Sequence, residues 1–332
     1  MPIIVNKEQC KKVAKKIGSL NHRKNFFQRE FITFNSDTET KLRTYFYATA
    51  ICHQTYGLTN KEKNLDGWSW IEVIYTQLGK DNSKLIDPKY LASLRIEDLA
   101  EKIRSLFSED GNPCNCLLKD VEGRSKILIE SSKLIISRFD GKISNLISSS
   151  NGFLINKGTG IYEQLDNIPG FEDPLKKKAT LFVGFLMDAG LLDIKDKENI
   201  SPLTDYHIQR LLLRTGCLEI TDNELRNNLI NQNEIDSDSE IRIASIEAIK
   251  ILTKESDKSI FFVTDFLWAL SRGCCRYKVL CKDKSCNKEP CTFYLIFDIK
   301  EHKSCFLEGA CEGETSLEHR KIWEPRVKTC YY

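Results

Sequence analysis

An aspartate precedes an apolar helical stretch in the second half of the chain. Residues 204 to 216 read TDYHIQRLLLRTG, so Asp205 is followed two residues later by His207 and then by a Leu-rich run. A carboxylate at the N-terminus of a helix stays ionised easily, and it can stabilise developing positive charge or activate water. Asp205 is therefore a candidate catalytic residue. The alternative is that Asp205 is only a helix N-cap.

The cysteines are the second group of residues with chemical potential. Thirteen are present, and eight of them fall at or after Cys274. Disulfides are rare in intracellular proteins because thiols are kept reduced there. Cysteines concentrated in this way in an intracellular chain favour a metal site.

Length and charge limit the classes of protein to consider. The chain has 332 residues and a formal net charge of +2, which suits one large domain or two moderate ones. A nucleic-acid partner would have to be bound by local basic patches rather than by an overall positive field. The first twenty residues lack the apolar segment of a signal peptide, and we find no run long enough to span a membrane. We therefore expect a cytoplasmic protein, and a monomer.

The elements that position these residues are predicted to be helices. Helical periodicity is common, as in YLASLRIEDLAEKIRSLF (90–107), and turn signals such as EDGNPCNC and NKGTG separate the segments. We predict an all-α chain up to about residue 271. Beyond that point CTFYLIFDI has a β-like pattern, and Cys, Lys and Gly dominate.

A tight helix–turn–helix is predicted upstream of Asp205, within LDNIPGFEDPLKKKATLFVGFLMDAG. Ile168-Pro169-Gly170 would end one helix and turn sharply, and Pro174 suits the first turn of the next helix. Ala179 belongs to the predicted buried face of that second helix. A packing hairpin without further function is the alternative.

The hairpin and the aspartate together resemble the helix-hairpin-helix DNA glycosylase superfamily, which includes endonuclease III. In that family an L-P-G-x-G-x-x-x-A hairpin is followed by an essential Asp in a V-D-T-H-x-x-R context. Here Ile168-Pro169-Gly170, Ala179 and residues 204–210 match in order, and Gln54-Thr55 matches a pair at the end of an early helix. The resemblance implies a two-lobed all-α fold. It also implies that Asp205 stabilises the oxocarbenium-like transition state formed when an N-glycosidic bond breaks.

The same resemblance assigns roles around the hairpin. Superfamily members that also cut the strand carry a lysine at the position of Lys177, whose amine could form a Schiff base if its pKa is lowered. A phosphate-facing or solvated patch of Lys176, Lys177 and Lys178 is the alternative. Gly170 would approach a DNA phosphate. The second hairpin glycine is missing, however, and the acids of GFEDP would repel a phosphate.

A second resemblance covers residues 171 to 270. These residues are similar to queuosine salvage proteins, N-glycosidases that release a 7-deazaguanine base and place an Asp in an A-D-Y-R-x-P context. SDSEIRIASIEAIKIL and Phe266-Leu267-Trp268 fit the spacing of that family. His207 stands where the family has Arg, and the family has no cysteine-rich tail. Both resemblances imply the same bond type and the same Asp205, and they differ in the size of the substrate.

A pocket for the base needs aromatic faces and a few polar groups. NLDGWSWIEV (64–73) offers Trp68 and Trp70, which would point to different faces of a helix. We predict that Trp68, Gln54, His53 and His207 bind substrate. His207 is more easily explained as a structural hydrogen-bonding residue than as a catalyst, and both Trp residues could instead belong to the core.

The tail offers thiolates for a 4Fe–4S cluster, with zinc as the alternative and unligated cysteines as a third reading. The preferred ligands are Cys281, Cys291, Cys305 and Cys311, and Cys286 could replace Cys281 or Cys291. The tail is also locally basic and is a candidate phosphate-binding surface. Its basic residues between 271 and 288 are Arg272, Arg276, Lys278, Lys282, Lys284 and Lys288. Arg276 and Lys278 are the predicted DNA contacts there, beside Gly170, Lys176 and Lys178 on the hairpin.

These patterns combine into one prediction. Residues 1–35 with 203–270 would form a terminal helical lobe carrying Asp205, residues 36–202 a second lobe with the hairpin at 165–180, and residues 271–332 a Cys-rich basic tail with a metal loop. The active site would lie in the cleft between the lobes. The preferred function is a DNA glycosylase acting on a modified base, with bulky bases such as the glucosylated hydroxymethylcytosine of phage DNA among the substrates to test. The alternative is a nucleoside or nucleotide N-glycosidase of the queuosine salvage type.

Overall fold

The computed structural model describes residues 2–277, 279–283, 286, 291–299 and 304–332. Helices dominate these residues, which confirms the prediction of a largely helical chain. None of the helices described is long and apolar enough to cross a membrane.

The helices follow one another along the chain with short connections. They are α1 (Lys7–Gly18), α2 (Glu30–Thr33), α3 (Thr38–Ala50), α4 (Trp68–Lys80), α5 (Pro88–Ser93), α6 (Ile96–Leu106), α7 (Val121–Phe139), α8 (Ile143–Ser149), α9 (Ile161–Leu165), α10 (Lys177–Asp188), α11 (Tyr206–Thr215), α12 (Asn223–Asn231), α13 (Ser239–Ser256), α14 (Ile260–Gly273), α15 (Leu280–Asp283), α16 (Thr292–Ile296), α17 (Glu312–Thr315) and α18 (Leu317–Lys321). Short 3-10 helices lie at Phe26–Gln28, Lys84–Ile86, Pro113–Asn115 and Lys197–Asn199.

Two small antiparallel sheets accompany the helices. The strands are β1 (Ile3–Val5), β2 (Thr59–Asn60), β3 (Leu65–Asp66) and β4 (Leu218–Ile220). β1 pairs with β4, with Ile3 opposite Ile220, and β2 pairs with β3. The sequence did not predict these strands, because two or three residues are too few for an alternating pattern to stand out.

The chain divides into two compact units. The first unit contains Met1–Phe26 and Ser201–Lys328, and the second contains Phe27–Ile200 and Thr329–Tyr332. The cysteine-rich segment belongs to the first unit rather than forming a separate tail, and the last four residues belong to the second.

Helix α11 lies in the core of the first unit. Every residue from Ile208 to Thr215 is buried, and Leu211 and Leu212 join a hydrophobic cluster with Phe266 and Leu270 of α14. A helix that is buried on all sides must satisfy its polar side chains internally. The two buried arginines of α11, Arg210 and Arg214, therefore make several hydrogen bonds within this unit.

Helix α3 lies in the core of the second unit. Its residues Tyr45, Phe46 and Tyr47 are fully buried, and Phe46 packs against Phe171 and Phe182 with ring centroids 4.9 and 5.8 Å apart. Aromatic pairs at such distances stabilise a core beyond the area they bury.

Two local predictions are wrong. CTFYLIFDI is not a strand: Thr292–Ile296 form helix α16, in which Phe293 and Ile296 are buried while Leu295 is exposed, a spacing that one helical face explains. Pro174 does not begin the second hairpin helix. Helix α10 starts at Lys177, because the buried carboxylate of Asp173 accepts hydrogen bonds from the amides of Leu175 and Lys177 and holds the intervening turn.

Candidate active site

Asp205 is the N-cap of α11. Its backbone is extended, with φ −113° and ψ 178°, and its Oδ1 accepts a hydrogen bond of 3.0 Å from the amide of Ile208. The side chain is half-buried, and the three residues before it are buried. The N-cap reading is therefore confirmed. It is compatible with a catalytic role, which stays a prediction.

His207 lies one helical turn from Arg210, on the same helix. Its Nδ1 is 3.4 Å from the Nη2 of Arg210, and its ring centroid is 4.3 Å from that of Tyr206. Arg210 in turn pairs with Glu324 and donates to the carbonyl and hydroxyl of Ser271. Burial lowers the pKa of Arg210 to about 10, and Asp205 is among the groups that oppose this shift. His207 thus belongs to a polar network, as the structural reading of this residue expects.

The three hairpin lysines have three different environments, all in the second unit. Lys176 pairs with Asp166. Lys177 is 8% exposed, and its Nζ lies 3.8 Å from the Sγ of Cys52. Lys178 is fully buried, and burial lowers its pKa to about 8. Lys178 is thus the hairpin lysine whose amine burial brings towards neutrality, and the Schiff-base role of Lys177 stays a prediction.

Lys178 and Arg124 together cap the C-terminus of α3. The Nζ of Lys178 donates to the carbonyl of Ala50 at 2.6 Å, and Arg124 donates to the carbonyls of Ile51 and His53. Cations at a helix C-terminus satisfy its free carbonyl groups and its partial negative charge. The sequence analysis missed Arg124. The signal that could have revealed it is its position on α7, because Arg124 is the one charged residue among the apolar and serine residues that this helix buries.

His53 is buried among these cations. Its Nδ1 is 3.2 Å from the Nζ of Lys178, which can only donate, so Nδ1 accepts and the proton of the neutral ring is on Nε2. Burial, and then the charges of Lys178 and Arg124, hold the pKa of His53 far below its usual range. The Nε2 lies 3.8 Å from Asp120, too far for a hydrogen bond. A buried N–H donor in this state is suited to an acceptor atom of a ligand.

The two other predicted base-binding residues also lie in the second unit. Trp68 begins α4, stacks on Phe185 with centroids 5.4 Å apart, and donates from Nε1 to Glu72 at 2.6 Å. Trp70 is buried, so the two tryptophans do point to different faces. Gln54 has a positive φ of 42°, and its amide donates to the carbonyl oxygen of Tyr332.

The predicted DNA contacts do not form an open basic surface in the described residues. Gly170 is buried with φ +89°, and a Cβ there would lie 2.8 Å from the carbonyl oxygen of Ala50. Its close approach is thus to the chain itself. Arg276 is half-buried beside Tyr277, and the guanidinium of Arg272 covers the ring of Trp268. Lys278 lies outside the described residues.

Residues 42–261 match the sequence model of the family described as queuosine salvage protein. The chain belongs to the queuosine salvage protein family. The match includes Asp205, the hairpin lysines and the predicted base-binding residues His53, Gln54 and Trp68. No curated protein matches the chain. Family membership relates this chain to queuosine salvage, whereas the resemblance to the helix-hairpin-helix DNA glycosylases has no support from these comparisons.

The cysteine-rich segment lies outside the range that matches the queuosine salvage family. Among the described residues, no three His, Cys, Asp or Glu side chains are arranged to hold a single metal ion. Three of the predicted ligands, Cys281, Cys305 and Cys311, line one cavity of the first unit, and Cys286 and Cys291 do not. Cys291 is instead a hydrogen-bonding partner of Cys274. Cys274 and Cys275, which the sequence analysis did not select, complete the thiols of the cavity.

Proposed function

We propose that this chain is an N-glycosidase that releases a 7-deazaguanine base of the queuosine type from a free nucleoside or nucleotide. The family match, which contains Asp205 at the N-terminus of α11, is the observation that carries this proposal. It favours the small substrate over DNA, because membership of a salvage family relates the chain to the recovery of a single modified base.

The reaction requires few groups. The bond between C1′ of the ribose and the base nitrogen breaks, and the electron pair leaves with the base, which takes up a proton. The sugar then carries positive charge until water adds to C1′ and loses a proton. A carboxylate near C1′ stabilises this cation and can accept the proton from water. Asp205 is the proposed carboxylate, and its cap bond to Ile208 fixes its orientation on a buried helix.

The features of the second unit support base binding more than DNA binding. Trp68 offers an aromatic surface, and the neutral ring of His53 holds a buried N–H donor suited to an acceptor on the edge of a base. The hairpin carboxylate of Asp173 is engaged with backbone amides, and Lys176 is paired with Asp166. These contacts use the hairpin for packing, and the groups that would hold a phosphate are occupied within the chain.

The test compares substrates directly. Purified protein is incubated with queuosine, with its 5′-monophosphate, and with single-stranded and duplex DNA carrying modified bases, including glucosylated hydroxymethylcytosine. Mass spectrometry detects the free base, and cleavage by hot alkali detects abasic sites in DNA. Base release from the nucleoside or nucleotide alone supports the proposal. Abasic sites in DNA with no release from the free substrates would overturn it in favour of the DNA glycosylase.

A further inference from the structure

A cavity of the first unit is lined by five cysteines. The thiols come from two short stretches of the chain. Cys274 and Cys275 follow α14 and Cys281 is in α15, whereas Cys305 precedes α17 and Cys311 is the N-cap of α17. The cavity is partly open to solvent. All five cysteines are free thiols.

Four of these thiols share the cavity beside α11. Cys275, Cys281, Cys305 and Cys311 all line it. The Sγ of Cys275 lies 3.5 Å from the guanidinium of Arg214, and the Sγ of Cys311 lies 3.7 Å from the carbonyl oxygen of the same residue. The fifth thiol, Cys274, is instead hydrogen-bonded to the thiol of Cys291. The cavity therefore has a set of four thiols available to one ligand.

A buried cation is directed at the same group. Arg214 is 3% exposed, and its Nη1 lies 3.5 Å from the Sγ of Cys275 while also donating to the carbonyls of Cys275 and Arg276. Its Nε donates to the carbonyl of Ile322, and its guanidinium stacks on Trp323. The described partners of Arg214 include carbonyls, sulfur and a ring but no carboxylate. A buried guanidinium is costly unless negative charge is placed beside it, which metal-bound thiolates supply.

The segment that carries these thiols is built from short helices. Between Cys274 and Lys321 the described helices have four or five residues each, too short to be stable alone. Cys275 and Val279 form an isolated bridge, and the Sγ of Cys311 contacts the carbonyl of Arg214 at 3.7 Å. Cys275 and Cys311 are thus among the residues through which this segment contacts α11. Metal binding commonly supplies the free energy that orders segments of this kind.

We propose that Cys275, Cys281, Cys305 and Cys311 bind a 4Fe–4S cluster in this cavity. Zinc needs four donors about 2.3 Å from one point and mostly uses cysteines spaced two to four residues apart. The thiols here line a space instead of converging on a point. Five residues separate Cys275 from Cys281, and five separate Cys305 from Cys311. A 4Fe–4S cluster takes four thiolates that lie around it, one on each iron, which suits thiols that line a cavity.

The cluster would act on the helix that carries Asp205. Asp205 is the N-cap of α11, and Arg214 lies in its last turn. Anchoring Arg214 at the cluster would fix the C-terminal end of a helix of ten residues, about 15 Å long, and so hold its N-terminus in place. Cluster binding and its effect on stability do not depend on which substrate the proposed N-glycosidase uses.

The test begins with the full-length wild-type chain purified without oxygen. We expect a brown protein with broad absorbance near 400 nm and about four irons and four sulfides per chain. If iron is low on isolation, reconstitution with ferrous iron, sulfide and thiol should reach the same ratio. A colourless protein that holds one zinc, or that takes up no cluster on reconstitution, would refute the proposal without any variant having to fold.

Single Cys→Ser variants then identify the ligands. Cys275→Ser and Cys281→Ser should each lose more than half of the iron and lower the unfolding midpoint. Cys286→Ser is the matched control, because it is a half-buried cysteine of the same segment outside the cavity lining, and it should keep its iron. Equal iron loss in Cys286→Ser and Cys281→Ser, or full iron in Cys275→Ser, would contradict the ligand set proposed from the cavity.

Discussion

Replacing Asp205 by Asn separates its capping role from its proposed catalytic role, because only the catalytic role needs a negative charge. Asn caps helices about as well as Asp, so the 3.0 Å hydrogen bond from the amide of Ile208 should persist. The lost charge removes about 0.3–1 kcal/mol of favourable interaction with the helix N-terminus. The free energy of unfolding should therefore fall by about 1 kcal/mol at most, and the melting temperature by only a few degrees.

The effect on catalysis should be larger. A carboxylate that stabilises the sugar cation contributes at least ~100-fold to the rate, which corresponds to about 2.7 kcal/mol in the activation free energy. We expect kcat/KM for base release to fall by that factor or more in Asp205→Asn. The assay is the initial rate of base release from the best substrate, measured beside a urea unfolding curve of the same preparation.

The same unit offers a matched control. Asp222 is the N-cap of α12, and it accepts a hydrogen bond of 2.8 Å from the amide of Leu225. Asp222→Asn removes the same charge from an equivalent position that has no proposed role in the reaction. It should lose similar stability and keep its activity. Near-normal turnover by Asp205→Asn, or equal loss of turnover in both variants, would refute the catalytic assignment.

Three further predictions concern the second unit. Gly170→Ala should lower the free energy of unfolding by about 1–3 kcal/mol more than Gly158→Ala does, as measured in urea titrations. Both glycines have a positive φ, but of the two only Gly170 would place the new Cβ against backbone, 2.8 Å from the Ala50 oxygen. Equal losses in the two variants would contradict this explanation. The pKa of Lys178 is lowered to about 8 from an unfolded value near 10.4, so the unfolded state holds the proton more tightly and protonation disfavours folding below pH 8. The stability of the wild type should then rise relative to Lys178→Met by about 2 kcal/mol between pH 7.5 and 9.5, and parallel pH profiles would show that the amine is not perturbed. Trp68→Ala should raise KM with little change in kcat, since stacking on a base contributes about 1–3 kcal/mol. Trp68→Phe should keep most of the affinity for the substrate. An unchanged KM in Trp68→Ala would show that Trp68 does not bind the base.

Local patterns predicted the helical parts of the chain and several of the groups within them. The N-cap at Asp205 could be read from the sequence because the capping bond joins residues three apart. The different faces of Trp68 and Trp70 follow from helical geometry in the same way. The turn at Gly170 was also predicted, although the reason for its glycine was not, because the backbone of Ala50 is 120 residues away in the chain.

The sequence by itself determined the helical class, the capped helix that begins at Asp205 and the concentration of thiols in the last quarter of the chain. Only the tertiary structure decided which thiols meet. Cys275 lines the thiol cavity and Cys286 and Cys291 do not. This follows from the packing of α14 and α17 against α11, and no spacing rule contains that information. Tertiary structure also made Lys178 and Arg124 partners of the carbonyls at the end of α3, across 128 and 71 residues. Capping and periodicity depend on neighbours within one or two turns, whereas burial and ligand sets depend on contacts between distant segments.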